Sequence, residues 1–174
     1  MANANPIPEK YINGNIYIDG KKLVGTSGEF TLPNLSPTTS TISGAGIAGE
    51  IESPNIGHFG SLTTEISFRT VGKEAVALAT PETKMITIRG AQQISNVAAG
   101  TLEAQGFKVT FKGKTKEFDL GKLANGNPTE TKVTIELEYL RVDIDGTKMI
   151  EVDKYNFVYY LNGVDYLEQV AKLM

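Results

Sequence analysis

Thr131 to Leu161, TKVTIELEYLRVDIDGTKMIEVDKYNFVYYL, alternates apolar and polar residues on either side of Asp145-Gly146. That is the pattern of two antiparallel strands joined by a tight turn. The first arm puts Val133, Ile135, Leu137 and Tyr139 on one face, and the second does the same with Tyr155, Phe157, Tyr159 and Leu161. Near the turn both arms change phase, so that Leu140, Val142 and Ile144 stand beside Ile150 and Val152. A plain two-residue turn would oppose Leu140 to Glu151 and Val142 to Met149, which separates the apolar sets. Shifting by one, through a three-residue connection, pairs Val142 with Ile150, Leu140 with Val152, Leu137 with Tyr155, Ile135 with Phe157 and Val133 with Tyr159. The same register opposes Glu138 to Lys154 and Arg141 to Glu151, cross-strand pairs worth about 0.2–1 kcal/mol each.

An arm of about 14 residues rising about 3.3 Å each spans roughly 46 Å. A compact domain of this size has a radius of gyration near ~16 Å. A ribbon as long as its own domain, with a buried face that switches sides, is hard to cover with one core. The far half, Leu140, Val142, Ile150 and Val152, is therefore expected to be covered by a neighbouring copy of the chain.

The rest of the chain is read outward from this ribbon. Asn15 to Val24 forms a small hairpin about Asp19-Gly20, and its Ile-Asp-Gly-x-Lys echoes the long hairpin through shared turn chemistry. Phe30 and Leu32 close a short strand before Pro33. Leu62 to Val71 is a half-buried strand with Leu62, Ile66 and Phe68 inward, Lys73 to Leu78 is a short helix, and Met85 to Ile94 is a strand interrupted at Gly90. Leu102 to Lys112 is a further strand, and Gly113 to Thr129 is a loop. Val164 to Met174 has helical spacing, capped by Asp165 or Asn162. The sum is some seven or eight strands, one short helix and one C-terminal helix in a single domain, 1–174. The expected class is mainly β, an antiparallel β-sandwich or open barrel.

Between 33 and 61 the chain is rich in Gly, Ser, Thr and Pro, yet carries Ile42, Ile47, Ile51, Ile56 and Phe59, with no Lys or Arg from Leu23 through Phe68. A free linker would be more charged and poorer in isoleucine. Two readings stay open: a loop ordered by contact with another subunit through those residues, or one packed on its own domain. Gly44 to Gly49 matches G-x-G-x-x-G, but Ser and Thr precede it and Pro54 ends any following helix, so the strand and helix of a dinucleotide site are missing. His58 is the only histidine, and a loop hydrogen bond is its expected role.

Composition narrows the function. The 174-residue chain has no cysteine, which removes disulfides, thiolate metal sites and a cysteine nucleophile. A net charge of −3 argues against a surface that grips nucleic acid, and no run reaches the length of a membrane span. The first residues lack the blocks of a signal peptide, so the protein is expected to fold in a cytoplasm. Glu65, Glu136, Glu138 and Glu151 lie on outward strand faces opposite basic or polar residues, which leaves no convergent acid–base pair. Neither an enzyme nor a cofactor is expected.

The order NIYIDGKKLVGT, FTLPNLSP, GAGIAGEIE, LTTEISF, ITIRGAQQ, KVTIELEYLRVDIDGTKMIEVD and NGVDYLEQV resembles the major tail tube proteins of contractile-tailed bacteriophages and phage-tail-like bacteriocins. What the resemblance implies is a protein without an active site that forms hexameric rings, their β-sheets joined around a lumen and stacked into a tube inside a contractile sheath. Its partners would be further copies of itself, the tail sheath protein, the tape-measure protein, and the baseplate and tail terminator proteins. The tape-measure protein or DNA would occupy the lumen, the tube would be driven through a bacterial envelope, and the particle would be assembled in the bacterial cytoplasm. A bore without a basic cluster would let DNA slide. The rival reading is a monomeric ligand- or carbohydrate-binding β-sandwich. Against it, the chain has no Trp, and Tyr155, Tyr159 and Tyr160 fall within the hairpin.

Overall fold

A computed structural model describes residues 6–174. In chain order the elements are β1 (Ile7–Ile18), β2 (Lys21–Lys22), β3 (Thr26–Thr31), β4 (Pro37–Ile42), β5 (Ile51–Phe59), β6 (Thr63–Phe68), α1 (Lys73–Leu78), β7 (Lys84–Asn96), β8 (Thr101–Asp119), β9 (Thr131–Ile144), β10 (Thr147–Asp153), β11 (Val158–Leu161), β12 (Val164–Asp165) and α2 (Glu168–Leu173). The fold is mainly β with antiparallel pairing throughout. Ten strands form one branched sheet, ordered β12-β11-β10-β9-β8-β7-β1-β2 with β6 on β9 and β3 on β6, and β4 and β5 stand apart as a two-stranded pair. Ile16 and Leu23 near one end of the sheet share a core with Phe68 on the β6 branch, so the sheet rolls about that core as an open barrel.

β9 is the spine. β8 runs along one edge, while the other edge is divided between β6, which pairs with Thr131–Glu136, and β10, which pairs with Tyr139–Ile144. The expected pairs Val142–Ile150, Leu140–Val152 and Arg141–Glu151 all form. The one-residue shift has a different origin, however. Asp145 and Gly146 make a two-residue turn at φ 48° and 75°, and the extra residue is Met149, bulged between Lys148 and Ile150.

The second arm also ends earlier than expected. The Asp153 carboxylate accepts the backbone N–H groups of Tyr155 and Asn156 at 3.0 and 2.9 Å, and Phe157 turns the chain at φ 54°. The chain then returns as β11 along the free edge of β10, setting Tyr159 against Val152 and Leu161 against Ile150. The expected pairs of Leu137 with Tyr155, Ile135 with Phe157 and Val133 with Tyr159 are thus absent. In their place β6 sets Thr64 against Ile135 and Ile66 against Val133. Lys154 still meets Glu138 through its backbone N–H at 3.1 Å, but the side-chain ion pairs are Lys154 with Glu136 and Glu138 with Lys114.

The phase reversal along β9 is a bulge as well. Lys112 pairs with Tyr139 and the next residue, Gly113, with Leu137, so Glu138 has no opposite number on β8. The added residue rotates the strand and returns Leu140 to the face of Leu137. Gly113 is required there because a Cβ would collide with the Glu136 carbonyl oxygen. One core therefore covers both halves: Leu137 is 1% exposed, and Leu140 and Val152 are each 2% exposed. The expectation that the two sets lie on opposite faces is overturned.

α1 closes one end by burying Ala75 and Leu78 at i, i+3 spacing, and the Thr115 hydroxyl donates to the otherwise open Leu78 carbonyl at 2.8 Å. The C-terminal helix is shorter than its periodicity suggests. Val164 and Asp165 pair with β11 instead, and the Asp165 carboxylate accepts the Leu167 N–H at 3.0 Å at the start of α2.

β1 and β8 are longer than the sequence indicates. β8 continues to Asp119 through residues expected to be loop, and β1 begins at Ile7. Beyond the core, Ile7–Gly14, Gly90–Asn96 and Thr101–Gly106 form a projecting three-stranded ribbon. Gly90 does not break β7. It pairs with Gly14, and the Tyr11 ring lies over both, in space that a Cβ on either glycine would occupy.

Candidate assembly surfaces

The segment 33–61 folds as an arm. β4 and β5 pair from Pro37–Phe59 out to Ile42–Ile51. Thr38, Ser40 and Asn55 hydrogen-bond to one another along one face, with Asn55 Nδ2 donating to Ser40 Oγ at 3.0 Å. The root is fixed to the body. Phe59 stands edge-on to Tyr159 with ring centres 4.9 Å apart, Gly57 at φ 71° sits against Leu167, and Lys154 Nζ donates to the Gly60 carbonyl at 3.2 Å. Phe59 is thus half-buried against its own core. Further out the arm is uncovered: Ile42, Ile51 and Ile56 are 46%, 55% and 63% exposed, and Ile47 at the tip is half-buried. The glycine motif at 44–49 is the irregular tip between two strands, with no helix to receive a phosphate. The hydrogen bond at His58 is made by its backbone carbonyl, which accepts from the Thr38 hydroxyl at 3.4 Å, while its side chain is exposed.

A groove lies between the sheet and the chain leading into the arm. Its floor is Phe107, Val109, Leu140, Val142 and Ile150, its wall is Leu32, Pro33 and Leu35, and it encloses about 230 Å³ without a charged side chain. Past Leu32 and Phe107 it opens into a section of about 520 Å³ beside Tyr11, Phe30, Ile88 and Gln92, with Glu29 on its lining. The four distal residues singled out in the sequence thus divide. Leu140 and Val152 belong to the chain's own core, and Val142 and Ile150 are half-buried and border open space.

The family model described as phage tail tube protein FII matches residues 8–174. This chain belongs to the phage tail tube family. The tail tube protein of Escherichia phage P2 is 29% identical over 175 residues, covering 94% of this chain and 95% of that relative. The major tail tube protein of Serratia phage KSP20 is 24% identical over 157 residues, covering 90% of each. The tail tube family is one of structural tail components and not an enzyme family. Among the described residues, no group of three or more His, Cys, Asp or Glu side chains is placed to hold a metal.

On the face of the sheet opposite the core, strand pairing gathers charges that are scattered in the tail tube sequence. Arg89 pairs with Lys108 and Lys108 with Asp143, Asp143 pairs with Lys148, and Lys112 and Arg141 lie in adjoining rows. The expectation of a chain without a basic cluster is revised accordingly, because five cations from four strands surround Asp143 and Glu151. Each cation is engaged. Arg141 donates to Asp143 at 2.8 Å, Lys148 reaches Glu151 at 2.6 Å and sits 3.9 Å from the Tyr160 ring centre, and Arg89 and Lys112 lie 5.5 and 5.6 Å from the rings of Tyr17 and Tyr139. The Tyr139 hydroxyl donates to Glu151 at 2.8 Å, and burial together with that carboxylate pushes its pKa up to about 12. Burial alone would raise the Glu151 carboxyl, but hydrogen bonds from Lys148 and Tyr139 outweigh it and hold the group below the ordinary carboxylate range. Further along the sheet, Glu136 is held low in the same way: burial opposes, and Ser61, Lys154 and the Leu62 N–H prevail.

Proposed function

We propose that this chain, as a single tube domain spanning 1–174, assembles into hexameric rings that stack into the inner tube of a contractile phage tail or a phage-tail-like bacteriocin. The sheets of the copies in each ring join around a lumen. The tube, enclosed by its sheath and attached to baseplate and terminator proteins, is driven through the target envelope. The tape-measure protein or DNA occupies the lumen, and assembly takes place in the bacterial cytoplasm. The observation that carries this reading is the arm, a hairpin outside the main sheet that presents Ile42, Ile51 and Ile56 to solvent. Burying side chains of this kind is worth about 1.5–3 kcal/mol each, enough over repeated contacts to drive association. The test is light scattering on the size-excluded protein across a concentration series, with negative-stain microscopy of the concentrated fraction. Rings or tubes are expected. A monomer that persists at high concentration would favour a ligand-binding module.

A further inference from the structure

We infer that the tip of each arm docks in the apolar groove of a second copy of the chain, with Ile42 and Ile51 against Val142, Ile150 and the wall formed by Leu32 and Leu35. The inference rests on the self-assembling tube reading and names the two halves of its contact. The arm ends in a directly opposed Ile42–Ile51 pair with both side chains exposed, and no Lys or Arg occurs from Leu23 through Phe68. The groove between Leu32–Leu35 and the sheet carries no charged side chain, so it strands no charge of its own when water leaves.

The chain cannot satisfy this groove with its own arm. Leu35 forms the groove wall and β4 begins at Pro37, so the arm departs from the wall itself. Six residues of strand carry the tip about 20 Å from that point. The other side of the root is held by Phe59 on Tyr159 and Gly57 on Leu167, which prevents the arm from folding back. The neighbouring groove section near Tyr11 fits the tip less well, because it is lined by Glu29 and the tip brings Glu50 and Glu52. Each copy therefore offers one arm and one groove on different parts of its surface. Repeated head-to-tail, that contact propagates from copy to copy, and only a reciprocal exchange of arms would close it as a dimer.

Because the chain has no cysteine, cross-linking tests this directly. Leu32→Cys combined with Ile51→Cys, assembled and then oxidised, should give a ladder of dimers and higher multiples on a denaturing gel. Each single-cysteine variant should remain monomeric. Leu32→Cys with Ile42→Cys is a second pair with the same expectation. Assembled particles in which both pairs stay monomeric would overturn the docking while leaving the tube reading intact. A product that forms with Ile51→Cys alone would overturn it in favour of arm-to-arm contact, and one from the pairs that stops at the dimer would overturn its head-to-tail propagation. Failure of the unsubstituted chain to form any ring or tube would remove the tube reading itself, and the docking with it.

Discussion

β9 and the arm are both built of alternating strand residues rich in isoleucine, yet they put that residue to opposite uses. Ile135 on β9 is 1% exposed and Ile66 beside it 0%, whereas Ile42 and Ile51 on the arm are 46% and 55% exposed. The difference lies in the neighbours. Both edges of β9 are occupied, and its inward face is closed by α1 and the rolled sheet, so Val133, Ile135, Leu137 and Leu140 are enclosed within one chain. The arm is a single pair of strands, packed on the body only at its root and uncovered further out. Substitutions on β9 should therefore act on folding, and those on the arm tip on what the folded chain can join.

The sharpest way to break this division is Leu137→Ala. Leu137 is 1% exposed, and truncating a buried leucine costs about 2–5 kcal/mol, so the urea midpoint should fall steeply. If the loss were no larger than for an arm variant, the contrast would collapse. Gly113→Ala comes next. Its Cβ would meet the Glu136 carbonyl across the bulge, an overpacking worth about 1–3 kcal/mol, and an unchanged melt would mean that the bulge tolerates a side chain.

Asp145→Ala should cost about 1 kcal/mol in a thermal melt, since the carboxylate accepts the Gly106 N–H at 2.9 Å and the residue sits at φ 48°. Changes in pH should act on the sheet in both directions. Glu136 and Glu151 have lowered pKa values, so their stabilisation is present above the ordinary carboxylate range and is lost as pH falls through the lowered values. Tyr139 has a raised one, so its contribution is complete below 10.0 and is lost as pH rises towards about 12. Tyr139→Phe should flatten that alkaline decline, and a decline of the same size in the variant would assign it elsewhere. The smallest effect on stability belongs to Ile42→Asp with Ile51→Asp, expected within about 0.5 kcal/mol of the parent, while sedimentation should show tube growth abolished. A variant that melts early would show that the arm packs on its own domain after all.

The sequence was most legible where structure is decided locally. KEAVAL marks α1 to the residue, and the register of β9 with β10 follows from matching apolar positions and charges about Asp145-Gly146. The echo between the two Ile-Asp-Gly turns also has a local cause. Asp19 and Asp145 both take positive φ, donate their N–H to a third strand at Met85 and Gly106, and accept the N–H of that same residue. The bulges were hidden because one extra residue reads as a reversal of phase, which makes Leu140 look as though it faces away from Leu137. The arm was hidden because only its root packs on the chain, and the Gly, Ser, Thr and Pro that fill the segment blur the apolar–polar alternation of a strand. The cations on the outer face come from β7, β8, β9 and β10, and no linear run of sequence discloses them.

The position of β9 in the sheet has a consequence for the order in which the molecule can be made. β6, β7 and β8 all precede it in the chain, and it enters between β6 and β8, which have no pairing with each other. During synthesis β6 and β8 each present an unpaired edge until Thr131–Ile144 has left the ribosome. The pairing of Thr63 with Glu136 then closes a long stretch of chain in one step, a non-local contact of the kind that slows folding. A nascent chain stopped before Thr131 would hold most of the strands and none of the spine, and should be captured by chaperones or lost to aggregation, whereas one extended through β10 should fold.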